Sequence, residues 1–326
     1  MALWRKHDPE VFAATIMTAA EQLGVQPLVV EKDYWVCEVL RALVDAYGGE
    51  IVFKGGTSLE KLRLIQRFSE DLDLLVIGEY TSIRAPKRTM KAMLETAEQV
   101  VGGQCTGEES GGKRGAMWQK AYLELPLVHG DSIGVLADPK AILLELGQTG
   151  GPRPSHVTSV ESLLYRQLSS TTLAGKWDDL RPFDVNILHP GRTLIEKLLR
   201  VNNFVVDPTR RTGPHGLPRI GRQFYDIWAL LGDDSVTALL VDTVVVGEIL
   251  RSAFDVSLAF GGDHPVPAGG FATSAAFDSA GVFTADLRRE HDTAMRSLYF
   301  GAEPAPTFDD VLDRVHSSAE LLDPQR

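Results

Sequence analysis

Two short stretches of this chain carry residue types that can do chemistry together. They are Phe53-Lys54-Gly55-Gly56-Thr57-Ser58 and, after a short spacer, Phe68-Ser69-Glu70-Asp71-Leu72-Asp73-Leu74. In Asp71-Leu72-Asp73-Leu74-Leu75-Val76-Ile77 the apolar run marks a buried strand. Its period of two turns Asp71 and Asp73 to one face and Leu72 and Leu74 to the other. Two carboxylates at that separation repel unless they are solvated, protonated or neutralised, and a hard divalent cation with oxygen ligands neutralises both at once. The plainer reading of the pair is a loop-closing Asp71 and an Asp73 at an exposed strand edge. Ser69 stands two residues before Asp71, where alternation can carry its hydroxyl to the face of the acids.

The upstream stretch must position a ligand against those acids. Ile51-Val52-Phe53 reads as a short strand, and Gly55 and Gly56 allow torsions and close approach that side chains forbid. Ser58 can then cap a helix over about 58–66, in which Leu59, Leu62 and Ile65 recur at helical spacing while Lys61, Arg63 and Arg67 point elsewhere. Free N–H groups at a helix start favour phosphate, which makes Gly55, Gly56 and Ser58 candidates for a phosphate site. For a third acid, Glu145 in Ile142-Leu143-Leu144-Glu145-Leu146-Gly147 competes with Glu124 in Tyr122-Leu123-Glu124-Leu125. Each interrupts an apolar strand, where an unpaired carboxylate is costly. Glu145 is preferred because its strand runs into Gly147-Gln148-Thr149-Gly150-Gly151, a loop rim.

At 326 residues the chain can hold two domains. Strand-like runs at 51–53, 71–77, 120–128 and 140–147 alternate with helical segments at about 9–23, 31–46, 58–66 and 84–101. After a boundary near 190, the segments 193–202, 222–231, 236–254 and 308–322 read as mainly helical. Residues 108–115, rich in glycine and charge, read as a mobile loop, and 261–270 as a turn-rich lid or linker. No stretch approaches 18 uninterrupted apolar residues, and the N-terminus has no apolar signal core, so the expected location is the cytoplasm, with no membrane partner. Cys37 and Cys105 are far apart and read as thiols rather than a disulfide. The net charge of −11 opposes a broad nucleic-acid surface, but three basic groups could form a local funnel. These are Arg84, Lys87, Arg88 and Lys91; Lys113, Arg114 and Lys120; and Arg210, Arg211, His215, Arg219 and Arg222.

The order Gly56, Ser58, a spacer of about a dozen residues, then Asp71-Leu72-Asp73-Leu74 resembles the signature of the DNA polymerase β-type nucleotidyltransferase superfamily. Five blocks, in consistent order, resemble the AbiEii/MenT toxins more closely: Glu31-Lys32-Asp33-Tyr34; Lys54 to Leu59 with Lys61; Arg67 to Asp73; Arg192-Thr193-Leu194-Ile195-Glu196-Lys197-Leu198; and Arg222-Gln223-Phe224-Tyr225-Asp226. They span about Glu31 to about Leu231, and the flanks contribute little. The resemblance implies an α+β protein, with a nucleotidyltransferase-fold domain on a mixed sheet over 1–190 and a mainly helical domain over 191–326. It further implies Asp71, Asp73, Lys197 and Asp226 as catalytic residues. Mg²⁺ would sit on Asp71 and Asp73, with Glu145 as the third acid. Lys54, Gly55, Gly56, Ser58, Ser69, Lys197 and Arg222 would bind the nucleotide, and Lys61 and Lys32-Asp33 would support its site.

By the same resemblance the substrates are a nucleoside triphosphate, a pyrimidine nucleotide being one candidate, and the 3′ end of tRNA, and the partner is a cognate antitoxin. Two other readings fit the residues: a nucleotidyltransferase acting on a protein or small molecule, and a non-catalytic nucleotide-binding module. The plain reading of Asp226 is an i,i+4 ion pair with Arg222.

Overall fold

Proline at the first helical turn and polar groups at the caps set the first helices. The computed structural model describes residues 3–69, 71–82, 84–112, 116–129, 140–211, 216–259 and 266–325. After α1 (Trp4–His7), Asp8 accepts a hydrogen bond from the Val11 N–H at 3.3 Å and Pro9 opens α2 (Pro9–Leu23), which ends on left-handed Gly24. Helix α3 (Pro27–Tyr47) is buried along most of its length.

The rest of the first unit is β1 (Ile51–Lys54), α4 (Gly55–Lys61), β2 (Leu72–Val76), α5 (Ala85–Val101), β3 (Cys105–Gly111), β4 (Trp118–Glu124), β5 (Ala141–Gly147), β6 (Ser155–Val160), α6 (Leu163–Leu168) and β7 (Phe183–Leu188). The seven strands form one mixed sheet in the order β3-β4-β5-β2-β1-β7-β6. The β1–β7 and β2–β5 pairs are parallel, and β1–β2, β3–β4 and β4–β5 are antiparallel. Alternation sorts the side chains. Ile51, Phe53, Leu72, Leu74, Ile142, Leu144 and Leu146 join Val39, Leu40 and Leu43 of α3 and Met93, Leu94 and Ala97 of α5 in one core. Lys54, Asp73, Glu145 and Lys120 alternate with members of that core and occupy the other face of the sheet.

Contacts divide the chain into Met1–Leu62 with Phe68–Ile187, and Arg63–Arg67 with Leu188–Arg326. The second unit is helical: α7 (Pro190–Val206), α8 (Leu217–Leu231), α9 (Asp234–Val241), α10 (Thr243–Ala259), α11 (Thr284–Leu298) and α12 (Phe308–Ser317). Helix α8 packs against α7, α11 and α12. At Gly221 a Cβ would lie 2.2 Å from the Glu290 carbonyl oxygen, so only glycine lets α8 and α11 approach this closely. Phe224 meets Phe277 and Phe308 edge-on in the core of this unit.

Several expectations need correction. Helix α4 begins at Gly55 and ends at Lys61, rather than spanning 58–66. Residues 105–111, expected to lie partly in a mobile loop, form β3, an edge strand exposed along most of its length. Lys113 and Arg114 lie outside the described residues, as do His215 and the 261–265 part of the lid or linker. The single helix expected over 236–254 is broken at Asp242, whose carboxylate accepts from the N–H groups of Val244 and Val245 at 3.1 Å and so starts α10. Among the described residues no helix is long and apolar enough to cross a membrane.

Candidate active site

In the first unit, strand register brings charge into a single row. Lys54 of β1 is opposite Asp73 of β2, Asp73 is opposite Glu145 of β5, Glu145 is opposite Lys120 of β4, and Lys120 is opposite Glu109 of β3. Lys54 Nζ donates to Asp73 Oδ2 at 3.0 Å, and Lys120 Nζ lies 3.0 Å from Glu109 Oε2. The acidic pair Asp73 and Glu145 is thus flanked by two ammonium groups. Lys54, Asp73, Lys120 and Glu145 line a cavity of about 220 Å³, together with Trp118 and Thr149. Glu124 is exposed at the far end of β4, opposite Ala141, whereas Glu145 stands beside Asp73.

The Gly-Gly turn is built against the same acids. Gly55 has φ +79, and a Cβ there would lie 3.1 Å from Asp73 Oδ2, so both torsion and space require glycine. Gly56 follows inside α4, and Thr57 Oγ1 donates to the Asp71 carbonyl at 2.6 Å, fixing the backbone just before β2. Ser58 is not a cap. It is the fourth residue of α4, fully buried, and its hydroxyl donates to the Gly55 carbonyl at 2.9 Å. The helix starts earlier than the sequence suggests: it runs from Gly55, which keeps its left-handed φ, through Gly56 and Thr57. Ser69 is buried at 9% exposure, two residues before Asp71.

Lys61 does not point away from the apolar face as an exposed cation. Its side chain is fully buried, ion-paired with Asp33 and, at 3.0 Å, with Glu60. Arg166 Nη1 donates to Glu60 at 2.6 Å, and the Leu163 N–H donates to Asp33 at 2.6 Å. Burial disfavours the charge of Lys61, yet the two carboxylates outweigh it and hold its pKa above the usual lysine value. This network ties α3, α4 and α6 together. Lys32 is also buried on α3.

The second unit gathers three more of the sequence candidates. Arg67, whose side chain is 1% exposed, grips Asp226 through Nε to Oδ1 at 2.7 Å and Nη2 to Oδ2 at 2.6 Å. Lys197 Nζ lies 2.7 Å from the same Oδ2 and donates to Gln223 Oε1 at 2.9 Å. Burial alone would raise the Asp226 pKa, but Arg67 and then Lys197 bring it down to about 2. For Lys197, burial with Arg67 and Arg222 nearby outweighs the attraction of Asp226, and its pKa falls to about 8. Arg222, one turn before Asp226 on α8, is half-buried. Helical spacing turns Arg67 away from the apolar stripe and so outside the expected site. Its place in the Arg67-Phe68-Ser69 block was the signal that could have found it.

The donor types in the first unit suit a hard divalent cation, since Asp71, Asp73 and Glu145 offer only carboxylate oxygens. Asp73 and Glu145 are adjacent in register, and the glycine at 55 keeps a side chain from crowding Asp73. Among the described residues no group of three His, Cys, Asp or Glu side chains closes into a metal-holding cluster by itself.

The family described as nucleotidyl transferase AbiEii toxin, type IV toxin–antitoxin system, matches residues 38–314. That match reaches much further toward the C-terminus than the motif blocks, which end near Leu231. Solved structures that match include a presumed nucleotidyltransferase from H. pylori, 13% identical, covering 87% of this chain and 95% of that one at a TM-score of 0.37. No curated protein matches the chain. With most of its length matched, the chain belongs to the AbiEii nucleotidyl transferase toxin family.

Proposed function

We propose that this protein is the toxin of a toxin–antitoxin pair and transfers a nucleoside monophosphate from a nucleoside triphosphate to the 3′ end of tRNA. The observation that carries the reading is the row Lys54–Asp73–Glu145, in which two carboxylates and a cation from three strands line one cavity beside the Gly55 turn. Asp73 and Glu145, neighbours in register, would hold Mg²⁺, with Asp71 just before β2 as the further candidate that the family resemblance implies; when bound, the ion neutralises phosphate charge and polarises the phosphoryl group. Lys54 supplies a fixed ammonium beside Asp73, and Gly55 keeps the backbone open to phosphate. The acceptor hydroxyl oxygen bonds to the α-phosphorus, the α–β bridging bond breaks, and pyrophosphate leaves as the hydroxyl proton passes to solvent. Lys197 is the lysine that the family resemblance assigns to the triphosphate, and Asp226 with Gln223 orients its ammonium group. A tRNA so modified cannot be aminoacylated, translation stops in the cytoplasm, and a cognate antitoxin is the partner that restrains it.

One observation favours a second acceptor class. The net charge of −11 suits a protein hydroxyl or a small molecule better than a long polyanion. Incubation with each of the four labelled nucleotides, Mg²⁺ and either total tRNA or total protein separates the two. Label in the tRNA fraction is expected. Label appearing only in protein overturns the tRNA reading.

A further inference from the structure

On the far side of the acid pair from the Gly55 turn, the row holds an arrangement that nucleotide and metal binding do not use. Trp118 of β4 lies opposite Gly111 of β3 on one side and Gly147 of β5 on the other. A Cβ at Gly111 would sit 3.0–3.1 Å from three indole atoms, so the Nε1 edge of the ring packs closely against that glycine. At Gly147 a Cβ would meet only Thr149 Oγ1 at 3.9 Å and Trp118 Cβ at 4.0 Å. The space beside the indole on the Glu145 side is therefore open, and it is part of the cavity of about 220 Å³. Lys120, two residues along β4, shares the face of Trp118 and lines the same cavity. Its ion pair is with Glu109, whose side chain is 60% exposed, so a ligand phosphate can displace that carboxylate at little cost.

An aromatic ring, a gap beside it and an exchangeable ammonium form the elements of a single-stranded nucleotide site. The position decides which nucleotide. Attacking and leaving oxygens in phosphoryl transfer lie roughly in line. Lys54 and the Gly55 turn stand on the β1 side of the acids, and Trp118 and Lys120 on the β4 side, two strands or about 10 Å from Asp73. If the triphosphate tail is held on the Lys54 side, the group that attacks comes from the β4 side. Resting on the function proposed above, we infer that Trp118 and Lys120 form the acceptor subsite, with the terminal base of an RNA 3′ end stacked on the indole and its phosphate on Lys120.

The test measures KM for tRNA and for the nucleoside triphosphate, and the Kd of a short single-stranded oligoribonucleotide, in the parent, Trp118→Ala, Trp118→Phe and Lys120→Ala. Loss of one stacked base weakens acceptor binding about tenfold in Trp118→Ala. Trp118→Phe, which keeps a ring, should stay near the parent, and the nucleotide KM should not move. Lys120→Ala should lose part of the salt dependence of oligoribonucleotide binding. An unchanged acceptor Kd in a folded Trp118→Ala overturns the inference. So does a rise confined to the nucleotide KM, which would give the indole to the donor base. If the parent binds the oligoribonucleotide through Trp118 yet labels no RNA, the subsite stands and the proposed transfer falls.

Discussion

Two buried lysines, each against a carboxylate from a distant part of the sequence, are tuned in opposite directions. Lys61 faces two carboxylates, Asp33 and Glu60, and its charge is locked on. Lys197 shares a single carboxylate, Asp226, with the bidentate Arg67, and its pKa falls to about 8. The difference is the local ratio of charges. A lysine with excess carboxylate around it is a fixed structural cation, while one that competes with an arginine for its counter-ion can lose its proton near neutral pH. Both lie in blocks that resemble the same family, yet of the two it is Lys197 whose charge can change at a pH near 8.

The largest effect should come from Lys61→Met, which leaves Asp33 and Glu60 short of a partner in the interior. Breaking a buried pair of this kind costs about 3–5 kcal/mol, read as a drop in the urea midpoint at unchanged slope. Lys197→Met should cost far less, about 1 kcal/mol, because Asp226 keeps both bonds from Arg67. That variant should instead raise the KM for nucleoside triphosphate about tenfold or more in steady-state assays, the signature of a lost phosphate contact. Equal stability losses in the two variants would erase the distinction.

A third outcome depends on pH. The folded Lys197 pKa of about 8 lies below the ordinary lysine value of 10.5. Between those two pH values the unfolded chain binds more protons, so this residue makes stability rise with pH across that window. Nucleotide binding should move the other way, KM rising as pH passes about 8 and the ammonium group is lost. Lys197→Arg, which stays charged, should flatten that limb of the KM profile. The smallest effect concerns Cys37, near Lys61, whose thiol burial pushes up to about 12. Alkylation of Cys37 at pH 8 should be negligible in the folded parent and appear only on unfolding.

Local pattern reached some of this and missed the rest for identifiable reasons. Strand alternation places Asp73 on the polar face of β2, and the register agrees, whereas Asp71 stands just before that strand; Glu145 is singled out because a lone acid interrupts an apolar strand. The row that joins Lys54, Asp73, Glu145 and Lys120 is a matter of register between strands, which no single segment encodes. A cation beside an apolar stripe, as Arg67 and Lys61 are, looks solvent-facing until a partner from elsewhere in the chain closes on it. Asp226 is 159 residues from Arg67, and Asp33 is 28 from Lys61. The 108–111 part of β3 reads as loop because Cys105-Thr106-Gly107-Glu108-Glu109-Ser110-Gly111 has no apolar alternation, as suits an exposed edge strand.

The proposed transfer requires Asp73, held between Lys54 and Glu145, to serve catalysis rather than folding. Asp73→Asn keeps the side-chain shape and removes the charge, so the direct measurement is label transfer from nucleoside triphosphate to tRNA with Mg²⁺, paired with a urea unfolding curve. Transfer should fall to background while stability changes by no more than about 1 kcal/mol. An Asp73→Asn variant that labels tRNA at the parent rate would contradict it.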